Sequence, residues 1–247
     1  MKLEGLTAVI TGGTRGIGLE IARLLLARGA RPIVLGRSDD RLERALASTP
    51  GLDGFVCDIT HPGAPDRIRA ELAVRGRGLR ILFNNAGIQH ATSEAGEIWD
   101  APGGLTEEIS VNVQALSTLT YRLLPDLCRR TPAAVVNVSS GLAIAPKRSA
   151  PIYCATKAYV RSFTRAMRYR VEDAGVGVHV MDAVLPLVDT DMTEGRGSGK
   201  LSARAAASAI VRDLEREKTE SRVGKVKLLC GIHRIWPNAA FQIMRNW

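Results

Sequence analysis

From residue 7 onward, short β-rich apolar runs alternate with longer stretches whose apolar positions recur at helical spacing. Residues 8–10, 32–35, 54–57, 80–83, 134–138 and 176–184 read as strands, and residues 17–28, 40–47, 65–75, 105–129, 152–174 and 202–218 read as helices. This alternation predicts an α/β fold, a doubly wound parallel sheet covered by helices on both faces. No internal repeat, low-complexity segment or separating linker interrupts it, so residues 1–247 read as a single domain.

Composition narrows the class. The chain has 247 residues, of which 45% are apolar and 24% charged, the profile of a globular protein with a large core. Cys57, Cys128, Cys154 and Cys230 show neither metal-ligand nor disulfide spacing, so reduced thiols, no metal and a cytoplasmic location are expected. Cys154 reads as a packing residue, because no histidine lies near it in sequence. The N-terminal MKLEGLTAVITGG lacks an apolar leader core, and no run of about 18 apolar residues could span a bilayer. The net charge of +9 comes from dispersed Arg and Lys with only 4% aromatic residues, which speaks against a nucleic-acid partner. A solvated basic surface remains, one that would also attract a phosphorylated cofactor or an anionic membrane.

The chemistry-bearing residues fall at strand ends. The first strand runs into Thr11-Gly12-Gly13-Thr14-Arg15-Gly16-Ile17-Gly18 and then a helix. Glycines there permit a tight turn and close approach of a ligand, and the helix N-terminus offers unpaired amides to a phosphate. The spacing T-G-x-x-x-G-x-G differs from G-x-G-x-x-G, but its place in a strand–turn–helix unit separates it from an ordinary structural turn. After the second strand come Gly36, Arg37 and Ser38, with no acid to bind a ribose diol. Arg15 is a second cation nearby. Either arginine alone reads equally as solvent-facing; the two together, with no carboxylate opposing them, favour NADPH over NADH.

Cys57-Asp58-Ile59-Thr60 and Asn84-Asn85-Ala86-Gly87 end the third and fourth strands, where they either touch a cofactor or serve local turn chemistry. The long loop from Gly87 to Gly104 is a candidate substrate-pocket wall, with His90 at its rim. Asn112 lies in an otherwise apolar helix; if it points inward it needs water or backbone as a partner. Tyr153 and Lys157 are four residues apart, on one helix face. A tyrosine ionises near pH ~10, and a buried cation beside it favours the phenolate. Ser140, at a strand end, adds a second hydroxyl, making a proton donor aimed at a polar substrate atom.

Taken jointly, the TGxxxGxG turn at Thr11 to Gly18, the NNAG at Asn84 to Gly87, and Ser140 ahead of Tyr153-x-x-x-Lys157 resemble the short-chain dehydrogenase/reductase family over about residues 1–195. Further likenesses at NVSSGLA (137–143), PIYCATKA (151–158), PLVDTDM (186–192) and GKVKLL (224–229) resemble its bacterial DltE-like oxidoreductases. The resemblance implies a Rossmann-type domain, with residues 196–247 forming a substrate-side helix and a variable C-terminal tail. It implies Tyr153 as general acid or base, Lys157 on the nicotinamide ribose lowering the tyrosine pKa, and Ser140 on the substrate carbonyl. Asn112 would hold a water in a proton relay. Gly12, Gly16 and Gly18, with Thr14 and Ile17, would hold the pyrophosphate, and Asp58 with Ile59 the adenine. Asn85, Ala86 and Gly87 would line the span from adenosine to nicotinamide, and Pro186, Val188 and Thr190 the carboxamide end.

Two departures stand out. Leu187 replaces the glycine that commonly follows this proline, and the tail GKVKLLCGIHRIWPNAAFQIMRNW replaces a glycine-rich close. The tail can pack on its own domain, form a subunit contact, cover the substrate cleft or rest on an anionic membrane through Trp236, Phe241 and Trp247 beside Lys225, Lys227, Arg234 and Arg245. The expected protein is an NADP(H)-dependent carbonyl reductase of a small-molecule substrate, a homodimer or homotetramer. Imine reduction and alcohol oxidation are the alternatives within the chemistry. A non-catalytic NADP-binding regulatory or membrane-peripheral protein is the competing class, which would be marked by a damaged Asn112, Ser140, Tyr153 or Lys157; all four are intact.

Overall fold

The computed structural model describes residues 1–90 and 104–245. Residues 91–103 of the expected pocket wall, and Trp247 of the tail, lie outside them. In chain order the elements are β1 (Thr7–Thr11), α1 (Gly16–Leu26), β2 (Arg31–Gly36), α2 (Asp39–Ala47), β3 (Asp53–Val56), α3 (Ala64–Val74), β4 (Leu79–Asn84) and α4 (Leu105–Ile109). A π-helical turn (Ser110–Ala115) joins α4 to α5 (Leu116–Cys128). There follow β5 (Ala133–Ser140), α6 (Pro151–Asp173), β6 (Val178–Leu185), β7 (Val188–Asp189), β8 (Leu201–Ser202), α7 (Ala203–Glu215), β9 (Glu220–Arg222), α8 (Val226–Ile235) and α9 (Pro237–Arg245).

Seven strands form one parallel sheet in the order β3-β2-β1-β4-β5-β6-β9. Successive residues of a strand face opposite sides, so each strand feeds two cores. Ala8 and Ile10 join Ile21 and Leu25 of α1 and Ile210 and Leu214 of α7 on one side. On the other, Val9 joins Ile68 of α3, Leu119 and Leu123 of α5, and Met167 and Val171 of α6. The chain runs outward from β1 to β3 and then returns to place β4 against the free side of β1. That reversal opens a crevice at the carboxyl ends of β1 and β4, where ligands of open α/β sheets bind.

The doubly wound sheet expected from the pattern is present, with three local differences. The helix expected over 105–129 is interrupted by the π turn, which carries Asn112. The seventh strand, β9, is three residues of polar sequence, Glu-Ser-Arg, and has no apolar run to announce it. The tail folds as two helices whose Leu229, Ala240 and Met244 pack with Leu142, Ala145 and Cys154 and against Tyr153. It thus covers its own domain beside the expected catalytic tyrosine, while Leu228, Ile235, Trp236, Phe241 and Ile243 face outward. Among the described residues, no helix is long and apolar enough to cross a membrane.

Candidate active site

The glycine turn is shaped by contacts that leave no room for side chains. Gly12 and Gly16 take left-handed backbone angles, φ +62° and +54°. A Cβ on Gly18 would lie 2.4 Å from the Gly12 carbonyl oxygen and 2.6 Å from Asn85 Nδ2, so α1 starts directly against the turn. The first turn of α1 contains no acidic residue, which leaves its amides open to an anion. Thr11 Oγ1 accepts from the Asn85 and Ala86 amides at 3.1 and 3.0 Å, and Asn85 Nδ2 donates to the Thr11 and Gly12 carbonyls at 3.0 and 3.2 Å. The Asn85 side chain therefore clamps β4 to the turn, leaving its surroundings to line the crevice.

That crevice, about 250 Å³, brings together Gly12, Thr14, Arg15, Gly16, Ile17, Arg37, Ser38, Asp58, Ile59, Asn85, Ala86, Gly87, Ser140, Tyr153, Lys157, Pro186, Val188 and Thr190, along with Arg41, which sequence reading missed. Asn112 and Gly18 stand just behind its wall. Ser38 also caps α2, its hydroxyl accepting from the Arg41 amide at 3.4 Å. Burial pushes the Asp58 carboxyl up, but two bonds from Thr60, at 2.9 and 2.7 Å, and the charge of Arg37 outweigh it and hold the group below the usual carboxylate range.

The expectation that no carboxylate opposes the two arginines is incorrect. Arg15 pairs with Asp191 at 2.6 Å, and Arg37 pairs with Glu107 at 3.1 Å. Both acids come from distant parts of the chain and meet the arginines only through the fold. The pairs are half-exposed, so each contributes little to stability and opens readily to a competing anion.

At the opposite end, Ser140 terminates β5 and its Oγ accepts from the Leu142 amide at 3.2 Å, leaving its proton free to donate. Pro151 starts α6 and fixes the phase that turns Tyr153 and Lys157 inward, one turn apart. Lys157 is buried; its Nζ donates to the Val138 carbonyl at 2.9 Å and lies 5.6 Å from the centre of the Tyr153 ring. Burial pulls the Lys157 ammonium down to about 8, with the Asp182 carboxylate opposing the shift. Burial pushes the Tyr153 phenol up, Cys154 and Glu108 add to the rise, and Arg196 opposes it. Desolvation thus sets the direction, the expected lowering by the lysine is not seen, and the phenol stays protonated across the neutral range.

Asn112 points inward, a direction that the sequence left open. Its Nδ2 donates to the Ile88 carbonyl at 2.9 Å and to Thr156 Oγ1 at 3.1 Å, while Oδ1 accepts from the Ile88 amide at 2.9 Å. The side chain fastens the exit of β4 to α6. A Cβ on Gly87 would lie 3.3 Å from both Asn112 Oδ1 and Lys157 Nζ, so a side chain there would press on both. Thr190 lies against the turn, its methyl 3.3 Å from where a Gly16 Cβ would be. Leu187 keeps negative φ; its carbonyl accepts from the Leu201 amide at 3.0 Å as β7 pairs with β8, so no glycine is required there. His90, expected at the rim, is not among the crevice-lining residues; its ring lies 3.2 Å from Glu107.

One buried group behind Lys157 escaped the sequence reading. Asp182 on β6 accepts a short hydrogen bond from Ser139 and another from Arg161 at 3.1 Å. The available signal was an acid inside the apolar run VHVMDAVL, with Arg161 one turn beyond Lys157 on α6.

The short chain dehydrogenase family model matches residues 6–200. The chain is 36% identical over 200 residues to the oxidoreductase DltE of Bacillus subtilis, covering 78% of this chain and 76% of that one. It is 34% identical over 199 residues to serine 3-dehydrogenase of Agrobacterium fabrum, covering 80% and 78%. A short chain dehydrogenase from Burkholderia cenocepacia solved in complex with NADP superposes with a TM-score of 0.84 at 25% identity, over 99% of each chain. With its glycine turn, strand ends and Ser140, Tyr153 and Lys157 gathered at the switch point of the sheet, this chain belongs to the short-chain dehydrogenase family.

Proposed function

We propose that this oxidoreductase, which works with a nicotinamide dinucleotide, takes NADPH and reduces the carbonyl of a small molecule, with Tyr153 as proton donor. The observation that carries the reading is the convergence of Ser140, Tyr153 and Lys157 on the crevice that begins at the glycine turn. The site fits the dinucleotide: Gly12 and Gly16 line the crevice, Gly18 lets α1 start directly against the turn, and the first turn of α1 carries no acid. Gly12, Thr14, Gly16 and Ile17 would hold the pyrophosphate, Asp58 and Ile59 the adenine side, and Lys157, Pro186, Val188 and Thr190 the nicotinamide side. When bound, the cofactor supplies the hydride.

The chain's own residues supply the rest. As charge grows on the carbonyl oxygen, the free Ser140 hydroxyl and the Tyr153 phenol donate to it, and Tyr153 then releases its proton. Lys157, fixed by Val138, positions both the cofactor ribose and the phenol. Asn112 holds the loop at Ile88 against α6 and so keeps Gly87 beside the ammonium. Preference for NADPH is supported by Arg15, Arg37 and Arg41 around the end of β2, where no acid follows Gly36. It is supported also by the NADP bound to the Burkholderia relative. The name of the Agrobacterium relative, which acts at position 3 of serine, supports a hydroxyl or carbonyl close to other polar groups.

Tyr153→Phe tests the mechanism. NADPH binding, followed by fluorescence titration, should remain within about threefold, while turnover of a panel of ketones, aldehydes, quinones and cyclic imines falls by about 10²–10⁴. Retained turnover would sink the role given to Tyr153. Oxidation of NADH but not NADPH by the wild-type protein would sink the cofactor preference.

A further inference from the structure

Residues 224–247 contain Lys225, Lys227, Arg234 and Arg245 and no aspartate or glutamate. Among the described residues, no carboxylate pairs with any of these four cations. α8 turns one face to its own domain: Val226 and Leu229 are buried, and Leu229 packs with Leu142 and against Tyr153. The opposite face carries Leu228, Gly231 and Ile235. Leu228 and Ile235, seven residues apart and so within about 20° of each other around the helix axis, are 67% and 69% exposed. Gly231 has nothing within 4 Å of its Cβ position, so no other part of the chain reaches over the stripe there. Lys227 and Arg234, also seven apart and both exposed, run along one side of it. Trp236, at the corner between α8 and α9, is 69% exposed as well. α9 buries Ala240 and Met244 and leaves Asn238, Gln242 and Arg245 exposed, and an edge contact between His233 and Phe241, ring centres 5.4 Å apart, ties the two helices together.

An exposed apolar stripe is unfavourable in water, and the unpaired cations beside it select what covers it. A second copy docked through the same face would set Lys227 and Arg234 against their own copies, with no acid from the tail to meet them. A nucleic acid would meet the cations but leave Leu228 and Ile235 without apolar contact. An anionic bilayer surface answers both, because negative headgroups lie directly beside acyl chains, and tryptophan favours that boundary. We infer that the outer face of α8, with Trp236 at its end, rests on an anionic lipid surface: Leu228 and Ile235 enter the acyl boundary, and Lys227 and Arg234 meet the headgroups. The inner face of the same helix packs against Tyr153 through Leu229, so the lipid surface would lie across one helix from the catalytic tyrosine. This contact goes beyond the oxidoreductase reading and does not depend on it.

Cosedimentation of the full-length protein with sucrose-loaded vesicles tests the contact. Vesicles of equal parts phosphatidylserine and phosphatidylcholine should bind at least about tenfold more tightly than phosphatidylcholine alone. Lys227→Gln with Arg234→Gln should weaken binding to the anionic vesicles by about tenfold or more, and so should Leu228→Ser with Ile235→Ser. Both double variants should keep the parent's melting temperature, because the altered side chains face outward. Lys227→Arg with Arg234→Lys, which keeps the charge, should bind as the parent does. With Trp99→Phe and Trp247→Phe in place, Trp236 emission should shift blue on anionic vesicles and be quenched by lipids brominated in their acyl chains. Tyr153→Phe should bind vesicles as the parent does, so failure of the reductase reading and failure of this one are told apart. Equal recovery of the parent and the Leu228→Ser, Ile235→Ser protein, no preference for anionic lipid, or no sedimentation with either vesicle would overturn the inference. So would a parent that ignores vesicles and loses its oligomeric state in the Leu228→Ser, Ile235→Ser protein, which would give the face to a second copy.

Discussion

Arg15 of the glycine turn and Asp191, 176 residues later, are held together at 2.6 Å across the mouth of the cofactor crevice. Their side chains are 47% and 65% exposed, so the pair contributes less than about 1 kcal/mol to the fold. Its effect is on the ligand: the carboxylate competes with a phosphate for the same guanidinium. Asp191→Asn should therefore leave the melting temperature within about 4 °C while tightening NADPH about three- to tenfold and NADH less. Fluorescence titration with both cofactors decides it, and equal changes for the two would show that Arg15 does not face the 2′-phosphate.

Gly18 is the position where the turn tolerates least. A Cβ there meets a carbonyl oxygen at 2.4 Å and Asn85 Nδ2 at 2.6 Å, so the backbone must move. Gly18→Ala should cost about 1–3 kcal/mol in denaturant unfolding and weaken cofactor binding at least about tenfold. Gly231, on α8, has nothing within 4 Å of its Cβ position and negative φ, and Gly231→Ala should stabilise by up to about 1 kcal/mol.

Lys157 should show its burial in the pH dependence of stability. Its folded value, about 8, lies below the ordinary lysine value of 10.5. Between those values the unfolded chain binds more protons than the folded one, so stability rises with pH across that window. Below about pH 8 the folded protein carries a desolvated ammonium, and there Lys157→Met should be the more stable protein by about 1–3 kcal/mol. The advantage should shrink as pH rises toward about 10.4. Reductive turnover of the wild type should fall above about pH 8 as the ammonium is lost, and Lys157→Met should lose both the inflection and most of the rate. A pH-independent stability difference would show that the ammonium is hydrated.

Leu229 ties the tail to the site. It packs with Leu142 and Met244 against Tyr153, and its Cδ2 lies 3.3 Å from a Cβ position on Gly141. Leu229→Ala should cost about 2–3 kcal/mol. It should raise KM for substrate while leaving NADPH affinity nearly unchanged, because the tail touches the tyrosine side and not the glycine turn. An equal effect on both would mean that the tail supports the whole sheet.

Much of this protein was legible before folding. Strand and helix order followed from apolar periodicity, and TGxxxGxG, NNAG and YxxxK announced themselves by local spacing. The π turn at Asn112 was hidden, because its residues keep a helical pattern while the hydrogen bonding changes. β9 was hidden because an edge strand of Glu-Ser-Arg is held by its pairing with Asp182 to Val184 rather than by apolar burial.

What the sequence by itself determined is the α/β sheet and the identity of the groups that meet at its switch point: these depend on periodicity, on glycine backbone freedom and on one helical turn between Tyr153 and Lys157. Only the tertiary structure decided the charges those groups feel. Asp191 opposes Arg15, Glu107 opposes Arg37, and Asp182 is buried behind Lys157. The physical reason is range: patterning acts over a few residues of chain, whereas desolvation and ion pairing depend on which distant segments the fold packs together.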